Sequence, residues 1–155
     1  MHLRRVTVFA IGVVVLLSAA CGSSSNTQPA ACSLLSPAQL TKLTGLSFAE
    51  GRSVDTANDQ GCVWVANDRQ GEVSVVVVPD SKTEFSGRES DAAASFGAAA
   101  PIEIAGATKS VEFGDFGVVL MDVKGRVIQV QQSLPVTLSP TIHRDLAAAA
   151  ARNAS

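Results

Sequence analysis

The chain has 155 residues, of which 46% are hydrophobic and only 5% are aromatic, with no Tyr. Its 12 basic and 14 acidic residues give a formal net charge of −2, and the absence of a basic cluster argues against a nucleic-acid partner. With so few aromatics, a folded core must consist mainly of Val, Ala, Leu and Ile, with Trp64 and six Phe as its bulky members. The length suits one domain after an N-terminal leader.

The first 21 residues have the pattern of an export signal. Arg4 and Arg5 precede an apolar run over residues 6–17, and the small residues 18–20 lead to Cys21. Basic, apolar and small regions in this order are typical of a secretory signal peptide. As a helix the apolar run would extend about 18 Å, short of the roughly 30 Å hydrocarbon core of a bilayer. We therefore predict a lipoprotein signal peptide over residues 1–20.

Cys21 is the predicted lipidation site. Residues 17–21 resemble a bacterial lipobox, in which the Cys thiol receives a diacylglycerol before cleavage, although Ser18 stands where an aliphatic residue is usual. An ordinary secreted protein with an incidental Cys21 and an uncleaved anchor are the alternatives. The odd number of Cys favours lipidation, because modifying Cys21 leaves Cys32 and Cys62 to pair with each other. Two or more acyl chains would hold the protein stably on the outer face of the cell membrane.

The mature chain is predicted to have a tether and one domain. Residues 21–31 comprise the lipidated Cys and a small, polar segment, which as a flexible coil would reach roughly 17 Å. Residues 32–155 show no repeat and no second domain boundary, so we treat them as a single domain.

The domain is predicted to open with a helix over about residues 37–44. Ser36, Pro37 and Gln39 occupy the N-cap, first and third helical positions of a capping box. Gly45 is a typical helix stop. Leu35 and Leu40, the residues before the N-cap and at the fourth helical position, have the spacing of a hydrophobic staple.

Two hairpins dominate the predicted sheet. The first joins residues 61–66 to 72–78 through a five-residue loop, and the second joins 118–123 to 126–132 through Lys124-Gly125. Short strands are also predicted at 102–104 and 108–113. Ile128 and Val130 alternate with Gln129 and Gln131, which indicates an antiparallel sheet with a half-exposed face.

Two further helices follow from spacing. A capping-box pattern at residues 81–84 precedes Phe85, Ala92 and Phe96, so a second helix is predicted to run to about Phe96. Ser139-Pro140 is expected to start a third, Ala-rich helix in the manner of Ser36-Pro37. The predicted fold is α+β, with an antiparallel sheet of four to five strands and three short helices mainly on one face.

Cys32 and Cys62 are expected to form a disulfide in an oxidising compartment. Closing a loop of about 30 residues stabilises the fold by on the order of 3 kcal/mol in the chain-entropy model. Two unpaired buried thiols are the alternative. Trp64, two residues after Cys62 on the same strand face, is expected to pack over the bridge.

The sequence offers no catalytic constellation. His2 leaves with the signal, and His143 is expected in solvent on the third helix. No His/Cys cluster has zinc-site spacing, and no Ser lies in a nucleophile-elbow motif. Asp55, Asp59 and Asp68 are expected to be solvated loop carboxylates rather than a weak cation site. We predict a protein that is not an enzyme and needs no metal or cofactor.

Residues 112–117 contain the letters Asp-Phe-Gly, but the other kinase motifs are missing, so the segment is expected to be a turn before a strand. Phe113 and Phe116 are expected in the core. The alternative is that they line a binding groove.

Two local patterns together resemble a known family. They are the Cys-Ser-Leu-Leu start at Cys32, followed by Gly45, and the Gly-Cys-x-Trp strand from Gly61 to Trp64. The chain, from about Ala31 to its C-terminus, is similar to the DUF3558 family, mostly actinobacterial lipoproteins of unknown function. The resemblance implies an exported, membrane-tethered α+β domain with a Cys32–Cys62 disulfide. It implies no known activity and no catalytic residues.

Two functions are compatible with these features. One is a non-enzymatic binding or accessory module of the cell envelope, in which the sheet face with Gln129 and Gln131 meets a protein or another envelope ligand. The alternative is a lipid- or glycolipid-binding carrier with an apolar cavity between sheet and helices, which the small Ala and Val residues would permit.

Overall fold

The computed structural model describes residues 30–56, 59–78, 82–135 and 138–155, with the backbone alone for residues 82–84. The helices are α1 (Pro37–Thr44), α2 (Lys82–Phe96) and α3 (Ile142–Ala154), and 3-10 turns lie at Ala31–Ser33 and Gly114–Phe116. The strands are β1 (Arg52–Ser53), β2 (Gln60–Val65), β3 (Glu72–Val78), β4 (Ala100–Pro101), β5 (Lys109–Phe113), β6 (Val118–Val123) and β7 (Arg126–Ser133).

The strands form one antiparallel sheet in the order β1-β2-β3-β7-β6-β5-β4. The two predicted hairpins, β2–β3 and β6–β7, are adjacent because β3 pairs with β7, where Val75 lies opposite Val130. The sheet therefore has seven strands, and the prediction of four to five was wrong. The two strands at its edges, β1 and β4, have two residues each, too few to show a period-two pattern. The strand expected at 102–104 is absent, and β4 at 100–101 pairs with β5 instead.

Helices cover both faces of the sheet. On the first face, α1 and α3 bury Trp64, Val75 and Met121 in the larger core. On the second face, α2 contributes Phe85 to a smaller core over β5 and β6. The expectation that the helices pack mainly on one face therefore holds for α1 and α3 but not for α2. The reason is visible in β6, where residues 118–121 are all apolar and buried, so that both faces of this strand need cover.

The start of α1 is confirmed in detail. The Ser36 hydroxyl accepts a hydrogen bond from the Gln39 N–H at 3.2 Å, and the Gln39 side chain accepts one from the Ser36 N–H at 3.0 Å. These bonds satisfy two backbone donors that the first helical turn leaves unpaired. Leu35 and Leu40 are buried as the staple requires, and Gly45 ends the helix at φ 74°.

The start of α3 differs from its prediction. The helix begins at Ile142, with Thr141 and not Ser139 at the N-cap position. The Ser139 hydroxyl accepts a long hydrogen bond of 3.4 Å from the Thr141 N–H and lies 3.1 Å from the Thr141 hydroxyl, so it contacts the residue before the helix and not an N–H of its first turn. The capping box predicted at residues 81–84 lies outside the described side chains, whereas the end of α2 at Phe96 is as predicted.

The disulfide between Cys32 and Cys62 is present, with 5.0 Å between the two Cα atoms. It joins the 3-10 turn at Ala31–Ser33 to β2. Ala31, the last residue of the predicted tether, is already buried. Trp64 is 1% exposed beside Cys62 in the same core, as expected.

Gly51 lies against Trp64 and Cys62, and there is no room for a side chain at this position. A Cβ added there would lie 2.5 Å from the Trp64 indole nitrogen and 2.7 Å from the Cys62 sulfur. We expect Gly51→Ala to lower the free energy of unfolding by about 1 to 3 kcal/mol, because a ring and a disulfide in a packed core cannot move aside without strain. Chemical denaturation followed by circular dichroism measures this change.

The matched control is Gly87→Ala, the same substitution in α2, where an added Cβ meets no atom within 4 Å. Because Ala is the better helix former, this variant should be as stable as the wild type or more stable by up to about 1 kcal/mol. Equal effects of the two substitutions would contradict the proposed packing around Trp64.

Candidate functional site

A cleft of about 640 Å³ opens at one end of the sheet, where β5 and β7 end and β6 and α3 begin. One wall is the 3-10 turn of residues 114–116, and the other consists of residues 132–135 and 138–140 together with Ile142. The volume lies within the roughly 300–1,000 Å³ range of ligand clefts. The lining combines apolar with polar side chains: Asp115, Phe116, Gln132, Ser133, Leu134, Pro135, Leu138, Ser139, Pro140 and Ile142.

Phe116 is the most exposed large hydrophobic side chain among the described residues, at 50%. Its ring centroid lies 5.3 Å from that of Phe96, which in turn lies 5.9 Å from that of Phe113. Phe113 is buried, so the expectation of a core position was right for Phe113 and wrong for Phe116. The 3-10 turn accounts for the difference, because it ends the strand alternation after Phe113 and turns the next ring out into the cleft wall.

Gln132 supplies an amide group to the cleft. Its Oε1 accepts a hydrogen bond from the Leu134 N–H at 2.8 Å, which fixes the side chain. Its Nε2 donates to no acceptor among the described residues. Gly117 lies against this amide in a left-handed conformation (φ 62°), and a Cβ at that position would collide with Nε2. Gly117 thus both makes the turn and leaves space for the Gln132 amide.

A cluster of three polar side chains, two of them buried, lies next to the cleft. Glu112, His143 and Arg144 form it, and we call it the Glu112 cluster. Glu112 Oε2 lies 2.9 Å from His143 Nε2 and accepts a hydrogen bond from Arg144 Nε at 2.6 Å, while Oε1 accepts a second hydrogen bond from Arg144 Nη2. His143 is 3% exposed, so the expectation of a solvated His143 was wrong. Its side chain lies on the sheet side of α3, with those of Ile142 and Leu146.

The carboxylate of Glu112 is held in its ionised form. The Arg144 hydrogen bonds lower the pKa of Glu112 below 4.5, outweighing the opposite effect of burial, and the His143 hydrogen bond lowers it further. The same carboxylate raises the pKa of Arg144. Glu112 has both oxygens engaged, so it is poorly placed to act as a general base.

The Glu112 cluster also connects the two walls of the cleft. Glu112 lies on β5, two residues before the 3-10 turn begins, and His143 follows Ile142, which lines the opposite wall. Contacts between β5 and α3 therefore set the position of one wall relative to the other. Sequence reasoning missed Glu112, because its alternation with Val111 and Phe113 along the strand predicts a carboxylate that faces solvent.

The loop carboxylates are separate from one another. Asp55 accepts a hydrogen bond from the Gly61 N–H, and Asp68 accepts one from the Gln70 N–H. Asp59 pairs with Arg88 of α2 at 2.6 Å. Within the described ranges, no three His, Cys, Asp or Glu side chains converge in a way that would hold a metal ion. Cys21, the predicted lipidation site, lies outside those ranges.

The second sheet face remains partly open. Gln129 and Gln131 lie on it, half-buried, together with Val63 and Val76. Val65 on the same face is 37% exposed. The α2 helix contacts β5 and β6 instead, so this part of β2, β3 and β7 forms a mixed polar and apolar surface.

Comparisons of the chain with family models, with curated proteins and with solved structures gave no match. The likeness to the DUF3558 family therefore stays a prediction from the residues quoted above. Of the helices in the part of the chain that the structure describes, none has the length and apolar character needed to cross a bilayer.

Proposed function

We propose that this chain is an exported lipoprotein of the DUF3558 type, anchored through Cys21 to the outer face of the cell membrane, and that its domain is a non-enzymatic binding module of the cell envelope. The Cys32–Cys62 disulfide carries the proposal. Structural disulfides form and persist in oxidising, exported compartments. The bond also accounts for two of the three Cys in the sequence and leaves Cys21 available for lipid.

The surface supports binding more than catalysis. The cleft around Phe116 and the open sheet face around Val65 both expose apolar side chains beside polar ones. A cleft of about 640 Å³ that combines apolar side chains with a few polar groups is typical of binding sites. Among the described residues, the buried carboxylate–histidine pair of Glu112 and His143 has its carboxylate held by Arg144, which favours a structural role.

Replacing Cys21 tests the anchor. We expect Cys21→Ala to move the protein from the membrane fraction to the soluble fraction or to leave an uncleaved precursor, because the acyl chains have no other attachment site. Cell fractionation with immunoblotting measures this. Ser24→Ala, in the predicted tether, is the control and should fractionate like the wild type. A Cys21→Ala protein of mature size that stays in the membrane fraction would refute lipidation.

The lipid or glycolipid carrier remains the alternative. It is favoured by Leu134, Leu138 and Ile142, which give the cleft an apolar part. Mass spectrometry of lipid extracted from the purified protein separates the two functions. A stoichiometric lipid beyond the anchor would support the carrier, whereas its absence would support the binding module.

A further inference from the structure

We propose that the cleft around Phe116 binds an uncharged glycan, with one sugar ring stacked on Phe116 and its hydroxyl groups bonded to Asp115 and Gln132. This inference rests on the proposed function as a binding module and names the ligand class of one of its surfaces.

The aromatic ring is the first argument. Phe116 is half-exposed in a wall of the cleft. Its ring packs against that of Phe96, with 5.3 Å between the two ring centroids, and this contact restrains the Phe116 side chain. A restrained ring loses little conformational entropy when a ligand binds. The face of an aromatic ring carries partial negative charge and attracts the partially positive C–H groups of a sugar face.

The polar groups are the second argument. Asp115 offers a carboxylate that only accepts hydrogen bonds, and Gln132 offers an Nε2 donor that has no acceptor among the described residues. A sugar hydroxyl donates and accepts, so neighbouring hydroxyls of one ring can serve both groups. A cationic ligand would suit Asp115 and Phe116 but would leave the Gln132 donor without an acceptor.

Charge is the third argument. Asp115 is the one charged residue in the described lining. The described lining holds no Lys or Arg that would balance the charge of Asp115. Asp115 would therefore repel a phosphate or an acidic headgroup. A peptide that adds as a strand needs an open sheet edge, whereas the edges of this sheet are β1 and β4, and the cleft lies where strands end.

Titration calorimetry of the full-length lipoprotein tests the proposal. The protein is kept in a detergent without a sugar headgroup, and the probes are neutral hexose and N-acetylhexosamine oligosaccharides from disaccharide to hexasaccharide. We expect saturable binding of at least one probe with little dependence on salt.

Three variants identify the binding residues. Phe116→Ala should weaken the affinity for the glycan at least about tenfold, whereas Phe116→Tyr should bind within about twofold of the wild type. Gln132→Glu keeps the acceptor for Leu134 but removes the donor, so it should also weaken binding.

Val54→Ala is the matched control, because it truncates another exposed apolar side chain (40% exposed) outside the cleft and outside the Val65 face, and it should leave glycan binding unchanged. Thermal midpoints close to the wild type would show that Phe116→Ala folds normally. No saturable binding on this panel, equal binding by the wild type and Phe116→Ala, or competition by phosphate would overturn the glycan site. Crosslinking of the intact lipoprotein in its native envelope tests the proposed function separately, because a partner crosslinked through the Val65 face would support a binding module even if the glycan panel failed.

Discussion

Replacing Cys32 and Cys62 together with Ala is expected to lower the free energy of unfolding by about 3 to 4 kcal/mol. The bond closes a loop with a sequence separation of 30 residues, and opening a loop of this size returns that much conformational freedom to the unfolded chain. For a domain of this length the thermal midpoint should fall by roughly 10 to 20 °C. Thermal unfolding followed by circular dichroism measures the shift.

The bond also fixes the 3-10 turn at Ala31–Ser33 to β2, where Cys62 is fully buried beside Trp64. The replacement is Ala and not Ser, because a Ser hydroxyl at position 62 would be buried without a hydrogen-bond partner. Wild-type protein in a reducing agent should approach the stability of the double variant. A double variant that unfolds at the wild-type midpoint would show that the bridge contributes nothing to folding.

Glu112→Gln is expected to have the second largest effect, a loss of roughly 1.5 to 3 kcal/mol in the free energy of unfolding. Hydrogen bonds to charged groups contribute about this much, and Glu112 accepts them from Arg144 while facing His143. The Arg144 side chain is half-exposed, so water weakens its bonds to the carboxylate and the loss should lie toward the lower end of this range. His143 is 4% exposed and must stay where it is. Denaturant unfolding at pH 7 measures the difference, and Glu103→Gln, at an exposed site, is the control and should have little effect.

The pH dependence of this difference follows from the lowered pKa of Glu112. Arg144 stabilises the ionised carboxylate in the folded state. The resulting stability is therefore fully present above the unfolded pKa near 4.5, and it is lost as the pH falls through the lower folded value. The difference between wild type and Glu112→Gln should therefore shrink as the pH falls below about 4.5. A difference that does not change between pH 6 and pH 3 would contradict this account of the Glu112 cluster.

How far the sequence predicted the fold depends on whether the signal is local. Ser36 and Gln39 cap α1 through bonds within one helical turn, so its bounds were predicted correctly. Lys124 and Gly125 both have positive φ, as a tight hairpin between β6 and β7 requires, and that turn was also predicted. By contrast, β1 and β4 exist because longer strands pair with them, and two residues carry too little pattern to reveal this.

The candidate site was the least predictable part. His143 looked solvated because its neighbours in sequence are charged, yet the position of α3 on the sheet buries it against Glu112, 31 residues away. Phe116 looked like a core residue because Phe is usually buried. The 3-10 turn before β6 exposes it. Both outcomes depend on how distant segments pack, and spacing along the chain does not encode that packing.

The central claim, that Cys21 carries the anchor of an exported domain, is tested most directly by the intact mass of the mature protein and of its N-terminal peptide. We predict a chain that begins at Cys21, carries a diacylglycerol on the thiol, and loses two hydrogens at the Cys32–Cys62 bond. A mature chain that retains residues 1–20, or one that begins elsewhere without acyl mass, would contradict the account.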